Sequence, residues 1–182
     1  CKKVIRTYLR PDLPPCPHLL TIPLGYHHRS TDTNRSMEER EWIWSFHGTN
    51  WFNRSNQLKE FASFGPHQCQ LQPHWKHETA SKKEEYLSIL HHTKFCPILQ
   101  GNNVETYRIY EALDAGALPI TTITDSAYLE WIDQHLHLSS LYPWTQPHIV
   151  LRDGVLESVR QEVGQRWLQW KQAIRVSCSS FL

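Results

Sequence analysis

Residues 95–120, FCPILQGNNVETYRIYEALDAGALPI, read as strand, loop, helix, turn and strand. The run from Phe95 to Leu99 is short, apolar and starts on an aromatic, which suits a buried strand. Gln100, Gly101, Asn102 and Asn103 form a turn cluster, because Gly and Asn tolerate positive φ. A helix is predicted from Val104 to Ala115. Val104, Tyr107, Ile109, Tyr110, Leu113 and Ala117 approximate helical spacing, with Ile109 broadening the apolar face. Gly116 stands where a helix stops in a left-handed residue, and Leu118 to Ile123 resumes a β-rich pattern. So short a return implies a right-handed crossover between parallel strands. The expected fold is therefore α/β, a Rossmann-like parallel sheet with helices on both faces.

In such sheets ligands bind beyond the carboxyl ends of the strands, against helix N-termini. The polar residues of this stretch fall there. Gly101, Asn102 and Asn103 would present backbone N–H groups and Thr106 a hydroxyl. The helix dipole favours an anion at the same place. Arg108 and Glu111 are three apart, so they share a face one turn further in. A guanidinium pairs with phosphate oxygens, and a carboxylate accepts two vicinal ribose hydroxyls. Together these make a cradle for a nucleoside diphosphate without a Walker-type lysine. The same spacing also fits an ordinary surface ion pair, and Gly-Asn-Asn fits any left-handed turn.

The stretch resembles the donor-binding segment of exostosin-like glycosyltransferases. Within them it is most similar to the ribitol-phosphate β-1,4-xylosyltransferases that extend the glycan of α-dystroglycan, and to their relatives. The residues that carry the likeness are Cys96-Pro97, Gly101, Glu105, Thr106, Tyr107, Arg108, Tyr110, Glu111, Ala112, Gly116 and Pro119. The resemblance implies the carboxyl-terminal half of a GT-B fold and a nucleotide-sugar donor, with Glu105 and Tyr107 joining the donor contacts. It also implies that Gly25, Tyr26 and His27 sit at the mouth of an interdomain cleft; a simple turn with exposed histidines fits that run equally.

Composition narrows the alternatives. With 40% hydrophobic and 20% charged residues and a net charge of +1, the 182-residue chain has no polyanion-binding character, so nucleic acid is not expected as a partner. It has no run of 18 apolar residues, so no membrane span is expected. The chain starts at Cys1 in mid-pattern, which reads as a piece of something longer. The expected division is 1–40 as strand and linker from a preceding domain, and 41–182 as the donor-binding domain. Five cysteines, Cys1, Cys16, Cys69, Cys96 and Cys178, include no CxxC pair, and the histidines lack a consistent ligand spacing, so no metal site is assigned. Cys1 with Cys16 could close a disulfide in a lumenal protein. Sequons at Asn34 and Asn53 are compatible with a secretory route and, in a eukaryote, with the Golgi lumen.

Outside the central stretch, WIWSFH at 42–47 reads as a central strand. Gly48, Thr49 and Asn50 follow as the first turn of a Rossmann unit, where backbone can approach a ligand. Arg54, at the start of the next helix, can reach a phosphate; a solvated helix-start arginine is the alternative. Further elements expected are a strand at 68–72, a helix at 82–93, and a helix at 127–136 capped by Asp125. Thr121, Thr122 and Asp125 are the polar residues of the loop that closes over the donor in the family. HIVL at 148–151 reads as a last strand, before a long helix at 155–176. Its Trp167, Trp170 and Ile174 would either cross back to a preceding domain or pack on their own sheet.

The expected activity is an inverting transfer of a sugar from a nucleoside diphosphate, UDP by analogy and UDP-xylose as one candidate, to a glycan or glycoprotein hydroxyl. Arg54 and Arg108 would stabilise the leaving diphosphate, helped by Gly48, whose backbone approaches it, and by the amides from Gly101 to Thr106. The catalytic base is expected from the preceding domain. No cofactor beyond the nucleotide-sugar substrate is implied. A non-catalytic nucleotide- or glycan-binding module, or a purely structural α/β domain, would share the same pattern.

Overall fold

A computed structural model describes residues 4–7, 16–25, 35–74, 80–101 and 103–181. Strands β1 (Val4–Thr7) and β2 (Leu19–Ile22) pair in parallel as a separate two-stranded sheet. The main sheet is built by β3 (Trp42–Thr49), helix α1 (Arg54–Phe61), β4 (His67–Gln72), α2 (Ala80–His91), β5 (Thr93–Ile98), α3 (Tyr107–Asp114) and β6 (Leu118–Thr121). Helices α4 (Ser126–Leu136), α5 (Pro147–Asp153) and α6 (Glu157–Phe181) follow. The sheet order is β4-β3-β5-β6 and every pairing is parallel. The fold is thus the expected α/β, Rossmann-like arrangement. The chain lays β4 on one side of β3 and β5 on the other. The strand order therefore reverses between β3 and β5, where open α/β sheets bind ligands beyond their carboxyl ends.

The core explains the strand choice. Trp44 and Phe46 of β3, Phe95 and Ile98 of β5, and Leu118 and Ile120 of β6 are all buried. The Trp44 indole donates to the Phe61 carbonyl at 2.9 Å, which satisfies the one polar group that this side chain buries. Burial pushes the Cys96 thiol up to about 12, as befits a strand residue in the core. Among the described cysteines Cys16 and Cys69 are exposed and Cys178 is half-buried; Cys1 lies outside the described residues, so its pairing does too.

Helix α3 starts at Tyr107, three residues later than the apolar spacing predicts, because Thr106 is extended (φ −129°, ψ 148°). It ends as Gly116 predicts. Gly116 takes φ +68° and its N–H meets the Leu113 carbonyl at 3.2 Å, while Ala117 N–H meets Ala112 at 2.9 Å. Asp125 caps α4 by accepting from Tyr128 N–H at 2.9 Å, also as expected. Before β3, buried Arg40 donates to the carbonyls of Thr93 (2.8 Å) and Ala115 (3.0 Å). Arg40 is thereby tied to the main body, at the amino-terminal ends of β5 and β6.

One element differs in kind. HIVL, expected as a last strand, lies within helix α5. Pro147 stands in its first turn, where a fixed φ and a missing N–H cost nothing. Pro147, Val150 and Leu151 are buried while Ile149 is exposed, which is a helical period and not an alternation. Three consecutive apolar residues, Ile149, Val150 and Leu151, hid that period.

Helix α6 packs on the body to which it is attached. Trp167 stacks on Tyr110 of α3 at 5.8 Å, and Trp170 meets Trp131 of α4 edge-on at 5.5 Å. The Trp167 indole and the Lys171 ammonium both donate to the buried Asp114 carboxylate, at 2.7 and 2.6 Å. Among the described residues no helix is long and apolar enough to cross a membrane. Replacing Trp167 removes both a core aromatic and a partner of a buried carboxylate. Trp167→Ala is expected to lower unfolding free energy by about 3–5 kcal/mol, measured by urea denaturation; a loss below about 1 kcal/mol would show that α6 is not part of the core.

Candidate functional site

Two arginines meet above the carboxyl ends of β3 and β5. Arg54 opens α1 and is only 7% exposed. Its Nη1 donates to the Thr49 carbonyl (2.8 Å), its Nε to Gln100 (3.0 Å) and its Nη2 to Leu99 (3.0 Å). One guanidinium thus ties the end of β3 to the end of β5. Burial, with repulsion from Arg108 added, pulls the Arg54 pKa down to about 10. Arg108 reaches over from α3. Its Nη2 donates to the His47 carbonyl, and its guanidinium carbon lies 4.2 Å from the centre of the Phe46 ring. Arg54 lies 5.4 Å from the centre of the same ring, so two cations share one aromatic side chain.

Neither arginine makes an ion pair with the described residues. Arg108 Nη1 and Thr106 Oγ1 are buried and have no hydrogen-bond partner there. Unsatisfied buried donors beside unbalanced positive charge describe a place for an anion. The two glycines fit around the cations. A Cβ on Gly48 would stand 2.7 Å from Arg108 Nη2, and one on Gly101 would stand 3.1 Å from Arg54 Nη2. Both positions need the missing side chain because a guanidinium occupies the space.

The remaining sequence-predicted residues divide between mouth and interior. Tyr107, 40% exposed, and Asn103 lie at the surface of the loop. The Gly101 N–H donates to the Asn103 carbonyl at 3.2 Å, so this amide closes the loop on itself. Asn102, Tyr26 and His27 lie outside the described residues, and Gly25 takes φ +80° at the end of the β2 segment. Glu105 points inward and is 5% exposed. Its Oε1 accepts from Leu24 N–H at 2.7 Å and from the Tyr110 hydroxyl. It stands behind the loop and ties β2's end to the start of α3. Glu111 is equally buried and accepts from the Tyr86 hydroxyl at 2.8 Å. Burial, then the Glu111 charge, holds that phenol well above its ordinary range. Thr121 hydrogen-bonds the Ile98 carbonyl at 2.6 Å inside the sheet, and Asp125 is engaged as the cap of α4. No group of three His, Cys, Asp or Glu among the described residues is arranged to hold a metal ion.

Three contributors were not singled out from the sequence: Phe46, the ring under both guanidiniums; His47, whose carbonyl holds Arg108; and Tyr86, which holds Glu111. Phe46 and His47 immediately precede Gly48 at the strand end, so position was a usable signal. Tyr86 gave none, being one of several apolar positions on an amphipathic helix.

A family model described as RXYLT1 C-terminal domain matches residues 25–153. That is well over half of the chain, and the chain belongs to this family. No curated protein matches it.

Gly48 offers a test of the cation pair, since a Cβ there would meet the Arg108 guanidinium at 2.7 Å; its φ of +159° also makes any L side chain strained, so some stability is lost as well. Gly48→Ala should lower the melting temperature, displace Arg108 from the His47 carbonyl and, measured well below that temperature, weaken inorganic pyrophosphate binding about tenfold. Calorimetry reads this directly; unchanged affinity would show that the held position of Arg108 is irrelevant to anions.

Proposed function

We propose that this member of the RXYLT1 C-terminal domain family is the donor-binding, carboxyl-terminal half of a GT-B glycosyltransferase. It would bind a nucleoside-diphosphate sugar, UDP-linked in our reading, and serve its transfer to a glycan or glycoprotein hydroxyl. The single observation that carries this is the pair of guanidiniums, without carboxylate partners, at the strand-order reversal. Beside them lie the unsatisfied Arg108 Nη1 and Thr106 Oγ1. Family membership supports the class of reaction.

In a direct displacement the acceptor oxygen forms a bond to the anomeric carbon as the bond to the diphosphate oxygen breaks. Negative charge then grows on the leaving diphosphate, and groups fixed in advance to meet it lower the barrier. Arg108 is such a group. Its guanidinium is held by a carbonyl and an aromatic face, and one of its nitrogens remains to donate. Arg54, engaged with three carbonyls, adds its charge and fixes the loop from 99 to 101. The Thr106 hydroxyl and the N-terminus of α3 approach the same volume. The proton of the acceptor hydroxyl goes to a base that we assign to a preceding domain. Glu111, which accepts from the Tyr86 hydroxyl, is the candidate ribose acceptor.

Calorimetric titration with UDP tests the reading. Wild type should bind, and Arg108→Ala should weaken binding by about 1.5–3 kcal/mol when titrated well below the melting temperature of the variant, where it is folded. Absence of binding by wild type would overturn the assignment; unaltered affinity in the variant would remove Arg108 from it.

A further inference from the structure

A polar cleft adjoins the cation pair on the side away from β5, and the reading above assigns no role to Gln70, Gln72, Lys82 or Glu85, which line it. Its floor is the end of the sheet. His47 and Gly48 of β3 face Gln70 and Gln72 of the edge strand β4. The register sets His47 opposite Gln70 and Thr49 opposite Gln72. Residues two apart on a strand point to one face, so both carboxamides present on the same side. Helix α2 supplies the wall through Lys82, Glu85 and Tyr86, which share one helical face.

The cleft and the cradle share their dividing wall. His47 holds Arg108 through its carbonyl, Gly48 touches the Arg108 guanidinium, and the Tyr86 ring lies 6.0 Å from it. Tyr86 also holds Glu111. The cleft therefore opens beside Arg108, the residue that the diphosphate reading sets against the donor.

The chemistry of the lining selects a class of far end. One lysine and one glutamate balance, so a further phosphate is not favoured. Two carboxamides each offer a donor and an acceptor in one plane. That pattern matches the donor–acceptor edge of a nucleobase, as Gln and Asn match base edges elsewhere. The Gln72 carboxamide has no partner among the described residues, and Gln70 meets only Glu85 at a long 3.5 Å, so both can turn to a ligand. We propose that this cleft receives the base of the nucleoside diphosphate, and that Gln70 and Gln72 set the base preference. The proposal rests on the diphosphate reading of the arginine pair.

Calorimetry with UDP, ADP and inorganic pyrophosphate separates the two. Wild type should bind UDP at least about tenfold more tightly than pyrophosphate and prefer it to ADP. The double variant Gln70→Ala, Gln72→Ala should lose about tenfold for UDP, no longer distinguish UDP from ADP, and keep its pyrophosphate affinity. Side-chain amide resonances of Gln72 should shift on adding UDP and stay in place on adding pyrophosphate. If pyrophosphate binds but UDP binds no tighter, or if the double variant keeps its preference, the base site is overturned while the cradle stands. If the variant loses UDP and pyrophosphate in proportion, the glutamines support the cradle and the base assignment fails. If wild type binds neither, both readings fall.

Discussion

The ring of Phe46 lies under two guanidiniums that have no carboxylate among the described residues to balance them. Like charges this close repel, and burial adds a desolvation cost. The arrangement persists because each cation is fixed by carbonyls that strand ends leave unsatisfied. Arg54 takes those of Thr49, Leu99 and Gln100, and Arg108 takes that of His47. The same contacts join β3 to β5 where the sheet would otherwise part as the strand order reverses. Architecture and positive charge therefore share one set of hydrogen bonds.

Around this pair the acidic residues are arranged in depth. Glu105 and Glu111 lie close in sequence to the cations but are drawn inward by tyrosines, Tyr110 and Tyr86, and by the Leu24 amide. Buried carboxylates are held by donors and not by the nearby arginines, so the arginines keep a positive field at the mouth. Leu24 precedes the positive-φ Gly25 at the end of the β2 segment, so Glu105 also links the chain's entry into the domain to the loop that begins α3.

Where the sequence was legible, local physics was in command. An aromatic start, an apolar run, a turn cluster and a closing Gly located β5, α3, Gly116 and β6 to within a few residues. Where it misled, two periods overlapped. HIVL suits a strand by composition, and only the burial of Val150 and Leu151 beside an exposed Ile149 distinguishes a helix. The helix start was read early because Val104 and Glu105 continue an apolar and polar rhythm that the extended Thr106 interrupts. The tryptophans of α6 were compatible with two neighbours; Asp114, accepting from Trp167 and Lys171, shows that they pack on α3.

From the residues alone came the parallel α/β plan, the crossover at 95–120 and the likeness that names the chemistry, because each depends on neighbours within one or two turns of chain. Only the folded chain decided which polar residues face outward. Glu105 and Arg108 are three apart in sequence, yet one is buried on Leu24 and Tyr110 and the other lies over Phe46. That division is set by partners tens of residues away, and spacing along a helix carries no information about what stands opposite it.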